Sequence, residues 1–312
     1  MGLKYLAFAA AVGTSFTSGL AFYPALWLAR RARAAALCVA MAAVFLSPLL
    51  VPPGARPLRF AAMLVAVTVG VSLYDHYWNA RAGYRPGPRR FIESLPNPFA
   101  LALRRVLSEP TPTRRADVIQ AVVCSLLGMA AVALLIGVFC IDWRRHLFIT
   151  EHCAKAISLF LMIQFFPNGL AAAARLAGIP ATNFAGAFFL ARTPAEFWRM
   201  YNRPVNQFFH EYVFKLAGGR AHPITAMLIV FVVSGIIHEY VFDLTLGRIL
   251  GSQMLFFLIQ ALAVVATMRL RPRGWRAVPM VLLTFAFNLA TVRIFLAGLN
   301  AIGPFYVERA FH

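Results

Sequence analysis

Acidic residues are scarce in this 312-residue chain: 11 Asp and Glu stand against 30 Lys and Arg, and charged residues of all kinds make up only 13%. A soluble domain ordinarily carries about a quarter of its residues as charges, so this chain lacks the material to coat a water-exposed surface. Hydrophobic residues reach 61%, against roughly 45–50% in soluble domains. That excludes a soluble globular class and suits a surface that meets lipid. Cysteine is sparse as well. Cys38, Cys124, Cys140 and Cys153 show no CxxC or other metal-ligand spacing, and they lie within apolar runs. Neither a disulfide framework nor a metal centre is therefore expected. Lysine is nearly absent, occurring only at Lys4, Lys155 and Lys215. Arginine in place of lysine, with abundant alanine, is what a GC-rich coding sequence produces and points to a bacterial cell (inner) membrane.

The formal net charge is +19, but the bases sit in short clusters between apolar runs, such as Arg30, Arg31 and Arg33, or Arg269, Arg271, Arg273 and Arg276. Positive charge distributed this way follows the positive-inside rule. A nucleic-acid interface would need a basic and aromatic binding module, and none is visible, so no nucleic-acid partner is expected.

The apolar runs cover residues 5–28, 34–51, 60–78, 117–141, 152–176, 224–242, 250–268 and 278–299. Each is near the ~20 residues needed to cross a ~30 Å hydrocarbon core. The fold class expected is all-α: a polytopic membrane protein of about eight transmembrane helices, with 1–312 as one integral-membrane domain. The first run is long, has Trp27 near its end and lacks a small-residue cleavage site, so it reads as a retained span and not a signal peptide. Polar connections occupy 80–116 and 178–223, and the former includes a short amphipathic stretch at 99–107. The fifth run carries Gln164, Pro167 and Asn168, which predicts a kink facing protein or a cavity, or a re-entrant segment. If all eight runs span, twenty basic residues fall on one side against eight on the other, Lys4 and Arg309 included. That asymmetry places both termini outside the cytoplasm.

Two patches carry chemistry. The first holds Phe197, Trp198, Arg199, Tyr201, Asn202 and Arg203 in a polar connection; the second is Ser234-Gly235-Ile236-Ile237-His238-Glu239-Tyr240 inside an apolar run. Helical spacing puts Trp198 and Tyr201 on one face, with Asn202 four residues from Trp198. Aromatic rings beside an amide donor suit an ester or thioester group, though an interfacial aromatic belt has the same composition. An ionisable side chain at the centre of a membrane helix costs at least ~2.5–3.5 kcal/mol on insertion scales, so His238 and Glu239 together call for a function. Neutral imidazole is well suited to take a proton near neutral pH. Ser234 and Gly235, on the same helix face, leave room for a substrate or a neighbouring helix.

F-W-x-x-Y-N at Phe197–Asn202, followed by S-G-x-x-H-E-Y at Ser234–Tyr240, resembles the membrane-bound O-acyltransferase superfamily, most closely its wax synthase, diacylglycerol and sterol acyltransferase branch. The resemblance covers residues 183–242. Tyr201 stands where that branch usually has tryptophan. The string His-Glu-Tyr-Val-Phe occurs twice, at 210–214 and 238–242; only His238 follows Ser-Gly in an apolar run, and His210 reads as a surface or interfacial histidine. The resemblance implies acyl transfer from acyl-CoA to the hydroxyl of a lipophilic alcohol, as in wax-ester or related neutral-ester synthesis, without a further cofactor. His238 and Asn202 become the expected catalytic residues. Phe197, Trp198, Tyr201, Ser234, Glu239, Tyr240, Arg199 and Arg203 become the expected substrate-binding ones. Arg199, Arg203 and Lys215 would meet the phosphates of CoA. The expected partners are acyl-CoA, the alcohol and membrane lipid, and the sequence leaves the oligomeric state open. The acceptor stays open between a long-chain alcohol, a diacylglycerol, a sterol-like alcohol and a hydroxylated secondary metabolite.

The rival class is a proton-coupled transporter using His238, Glu239, Asp75 and His76, with Pro167 breaking a helix. No internal repeat supports it. The Gly-x-Ser-Gly form of rhomboid proteases, the zinc-protease H-E-x-x-H and the H-H-x-x-x-D-G of soluble-type wax ester synthases are all absent.

Overall fold

A computed structural model describes residues 2–307, and among these every regular element is helical. The long helices are α1 (Gly2–Ala21), α2 (Arg30–Leu46), α3 (Arg56–Arg81), α6 (Arg114–Phe139), α7 (Phe148–Leu176), α10 (Pro223–Leu246), α11 (Ser252–Thr267) and α12 (Ala277–Ile302). Four short ones lie in the connections: α4 (Pro88–Ser94), α5 (Leu103–Ser108), α8 (Pro194–Met200) and α9 (Arg203–Phe209). Arg309, counted above with the basic residues, lies outside the described residues.

Counting the 3-10 turns that carry α1 on to Trp27 and α2 on to Leu50, seven of these helices are long and apolar enough to cross a membrane, and α11 is the exception. Its 16 residues span about 24 Å at 1.5 Å per residue, short of a ~30 Å core. Gly251, at φ 71°, delays its start, and the arginines from Arg269 onward end it. The expected seventh run, 250–268, is thus an apolar helix of less than full span. The fifth run is not re-entrant: α7 is one continuous helix of 29 residues with Pro167 inside it.

Two compact units make up the chain, Met1–Glu109 with Tyr240–Leu250, and Pro110–Glu239 with Gly251–His312. In the first, Phe22, Leu26, Val44, Val69, Leu73, Phe91 and Leu95 form the core. The polar patch at the end of α3 is structural there. Asp75 Oδ2 accepts from Asn79 Nδ2 at 2.8 Å and from the Leu103 amide at 3.2 Å. Ser94 Oγ donates to the Phe91 carbonyl, so His76 Nε2–H donates to Ser94 Oγ at 2.7 Å. Together these tie α4 and α5 to α3. The last turns of α10 also belong here, with the Tyr240 hydroxyl donating to the Phe45 carbonyl and Phe242 packed on Phe60.

In the second unit α6 and α7 form an antiparallel hairpin whose backbones touch. A Cβ at Gly128 would stand 2.7 Å from Phe166 Cα, and one at Gly169 would stand 2.7 Å from Ser125 Oγ. Small residues permit this approach, the usual means of helix association where lipid offers no hydrophobic driving force. At one end of the hairpin Arg175 pairs with Asp117 at 2.7 Å and donates to Asn183 Oδ1. At the other, Lys155 bonds Glu151 Oε1 and the Phe305 carbonyl, and Glu151 Oε1 accepts from the Val307 amide. His152 donates through Nε2 to the Leu289 carbonyl, so its Nδ1 accepts from the Tyr306 hydroxyl.

Gly128→Leu should destabilise the detergent-solubilised protein by about 1–3 kcal/mol through overpacking, read as a lowered melting temperature. Gly137→Leu, on the same helix where a Cβ meets open space, should leave it unchanged. Equal effects of the two would overturn the close-approach account of the hairpin.

Candidate active site

The connection from α7 to α10 is held first by Asn168, the residue after Pro167. Its Nδ2 donates to the Ala185 carbonyl at 2.9 Å, and its Oδ1 accepts from the Ala185 amide at 3.0 Å. The polar neighbour of Pro167 therefore faces protein. The stretch so anchored pins the next one: Gly186 N–H donates to the Met200 carbonyl at 2.8 Å and Arg203 N–H to the Phe184 carbonyl at 2.7 Å.

Those two bonds bracket Tyr201 and Asn202. Helix α8 stops at Met200, Tyr201 is extended, and Asn202 adopts the left-handed region at φ 45°. It is the one non-glycine residue with positive φ among the described residues. Asparagine tolerates this conformation better than most L-residues, and the flanking bonds over-determine it, as strained positions in functional sites require. Tyr201 and Asn202 therefore do not continue the helix face of Trp198, contrary to the spacing argument. All three line the same cavity because the chain turns there.

The start of α8 is fixed by Thr193, whose Oγ1 accepts from the Glu196 amide at 3.1 Å, with Pro194 in the first turn. Hydrogen bonding from Arg192, 2.9 Å away, holds the Glu196 carboxyl below the ordinary range. Trp198 Nε1 donates to Gln260 Oε1 at 2.9 Å; Gln260 Nε2 donates to Thr291 Oγ1 at 2.8 Å, and Thr291 donates to the Phe287 carbonyl. Indole can only donate, so this relay across α8, α11 and α12 runs in one direction and fixes the Trp198 ring. Phe197 stacks on Tyr201 at 5.4 Å. Burial pushes the Tyr201 hydroxyl up to about 12, so it stays protonated at neutral pH and is no base.

The cavity has a volume of about 380 Å³, within the usual range for small-molecule sites. From α10 it receives Met227, Val230, Phe231, Ser234 and His238; from α11 and α12, Phe256, Phe257, Val264, Asn288, Val292 and Phe295. Exposed Arg199 and Arg271 stand at its rim. From Met227 to His238 the helical rise is about 16 Å, so His238 lies deep. His238 Nδ1 bonds the Ser234 carbonyl at 2.7 Å. A carbonyl only accepts, so Nδ1 carries the hydrogen and the Nε2 lone pair is left toward the cavity. The ring rests against Phe257 at 4.5 Å and Phe295 at 5.7 Å. The side-chain amide of Asn202 makes no hydrogen bond among the described residues, and its Oδ1 is buried.

Of the residues singled out from sequence, Phe197, Trp198, Arg199, Tyr201, Asn202, Ser234 and His238 meet at this cavity; Arg203, Glu239, Tyr240 and Lys215 do not line it. Glu239 Oε1 instead accepts from the Met254 amide at 2.8 Å, capping the start of α11, while Oε2 is buried without a partner. Gly235 lies against Met254, whose Sδ is 2.9 Å from where a Cβ would be. The small residue admits the neighbouring helix. His210, read as a surface or interfacial histidine, has a side chain 42% exposed and in addition lines the cavity, on a π-helical turn at His210–Phe214. Gln260, Asn288 and Arg271 were missed. The first two are polar residues within apolar runs, which is itself a pointer to the interior.

Seven apolar helices of spanning length, and a cavity lined by His238, aromatic rings and Asn202, describe a polytopic membrane protein with a candidate site of mixed aromatic and polar character. The sequence model of the membrane-bound O-acyltransferase family matches residues 121–296, more than half the chain and all the long elements of the cavity. The chain belongs to this family of membrane-bound O-acyltransferases. No curated protein sequence matches it.

Asn202→Gly should keep the turn, since glycine takes φ 45° without strain, yet lower acyl-transfer turnover about 10²-fold or more. Asn202→Ala should lose thermal stability as well as turnover. Wild-type rates in a folded Asn202→Gly protein would reduce the residue to a turn former.

Proposed function

We propose that this chain transfers an acyl group from acyl-CoA to the hydroxyl of a lipophilic alcohol, within the wax synthase-like branch of its family, making a wax ester or related neutral ester. The observation that carries the reading is the state of His238. Its Nδ1 is committed to the Ser234 carbonyl and its Nε2 faces a cavity that also receives the unpaired amide of Asn202. Nε2 takes the alcohol proton as the oxygen attacks the thioester carbon. The carbonyl electrons move onto oxygen, where Asn202 Nδ2 donates a hydrogen bond. The C–S bond then breaks, the ester forms, and the CoA thiolate recovers the proton from His238. No covalent acyl-enzyme is needed.

Trp198 and Tyr201, fixed by the Gln260 relay and by stacking on Phe197, shape the passage of the thioester. Arg199 and Arg271 meet the phosphates of CoA at the rim, with His210 beside them. This set replaces Arg203 and Lys215, which do not reach the cavity. The transporter reading loses support, since Asp75 and His76 are occupied in bonds that hold α4 and α5 to α3. The clustered arginine and the alanine-rich composition favour a bacterial cell membrane as the site of action.

The test is lipid analysis of cells fed labelled fatty acid and expressing either the wild type or His238→Ala. A new neutral ester should appear with the wild type, and turnover of the purified variant should fall about 10²–10⁴-fold. A folded, membrane-inserted His238→Ala protein that retains normal transfer would overturn the assignment. The ester itself identifies the acceptor.

A further inference from the structure

We infer that Asn288 binds the donor, its Oδ1 accepting a hydrogen bond from an amide N–H of the pantetheine arm of acyl-CoA. This rests on the acyl-CoA reading above. Asn288 is only 3% exposed, and it is the one polar side chain that α11 and α12 contribute to the cavity wall. Its Nδ2 donates to the Thr284 carbonyl, one turn earlier, at 2.8 Å. A carbonyl only accepts, so nitrogen must face it and the amide cannot be turned over. Oδ1 is left toward the cavity with no donor among the described residues. A purely apolar occupant would strip that oxygen of water and give nothing back. The occupant at this depth therefore presents an N–H or O–H.

Depth decides which part of the donor that is. Helix α12 begins six residues after the rim residue Arg271, so its first half lies toward the rim. Phe295, which touches the His238 ring, lies seven residues beyond Asn288, about 10 Å deeper along the helix. The acceptor hydroxyl must sit at His238, so it cannot also bond Asn288. A fatty acyl chain offers no donor at all. A thioester seated at His238, however, trails its pantetheine arm back to the rim, and that arm carries two amide N–H groups.

The test compares acyl-CoA with the same acyl thioester of ethanethiol, which has no amide, on the wild type, Asn288→Ala and Asn288→Leu. Both variants should raise KM for acyl-CoA about tenfold with kcat unchanged, and leave kcat/KM for the ethanethiol ester at the wild-type value. Alanine carries the comparison if the leucine variant does not accumulate. Donor chemistry supplies a counterpart that needs no variant. Methylating the amide nitrogens of acyl-pantetheine should raise the wild-type KM by a similar factor, and should make no difference to Asn288→Ala. Equal losses on both donors, or a wild type indifferent to methylation, would overturn the role of Asn288 while leaving acyl transfer intact. A wild type that turns over neither thioester would overturn the acyl-transfer reading itself.

Discussion

Inside a hydrocarbon core there is no water to satisfy a polar group, and each one left unpaired costs several kcal/mol. The second unit is organised by this penalty. Asp117 is matched to Arg175, Glu151 to Lys155, and Asn168 to both backbone groups of Ala185. Each closure also does mechanical work: the first locks one end of the α6–α7 hairpin, the second holds residues 305–307, and the third anchors the connection that shapes the site. The indole of Trp198 is closed through Gln260 and Thr291 in the same way. Some buried groups of this unit stay open, among them Gln164 Oε1, Glu239 Oε2 and Gln253 Oε1, and three further open groups gather at the cavity. His238 Nε2, the Asn202 amide and Asn288 Oδ1 all face one cavity without a protein partner. A ligand with matching donors and acceptors would restore their pairing.

Much of this was legible from residues alone, for a physical reason. Hydropathy reports the lipid requirement directly, so the long helices and the two chemical patches could be read without tertiary information. What failed was whatever depends on backbone path. Helical spacing carried Trp198 through to Asn202, yet Gly186 and Phe184, far off in sequence, end the helix between them. Length misled at 250–268, where a left-handed Gly251 shortens an apolar run into a helix of 16 residues. The family motif carries Glu239 and Tyr240 along with His238 as substrate-binding residues, but on a helix adjacent residues point in different directions. One caps α11 and the other bonds Phe45. The exposure of His210 fits the polarity of its surroundings, and what that polarity does not show is that its π-helical turn also brings it to the cavity.

The spacing of the second patch acquires a structural meaning from these placements. Ser234 and His238 are four residues apart and lie on the cavity face of α10, where the carbonyl of the first sets the tautomer of the second. Gly235 and Glu239 are likewise four apart, one position on, and face α11: the glycine admits Met254 and the carboxylate caps that residue's amide. Three residues beyond Met254, Phe257 rests against the His238 ring. The two i,i+4 pairs are therefore coupled through α11. One pair presents the imidazole to the cavity, and the other seats the helix whose phenylalanine packs on that ring. A single segment of six residues thus sets tautomer, ring direction and wall position together. Serine, glycine, histidine and glutamate each have a place in that arrangement, and only one of the two His-Glu-Tyr-Val-Phe strings, the one preceded by Ser-Gly, has these i,i+4 partners.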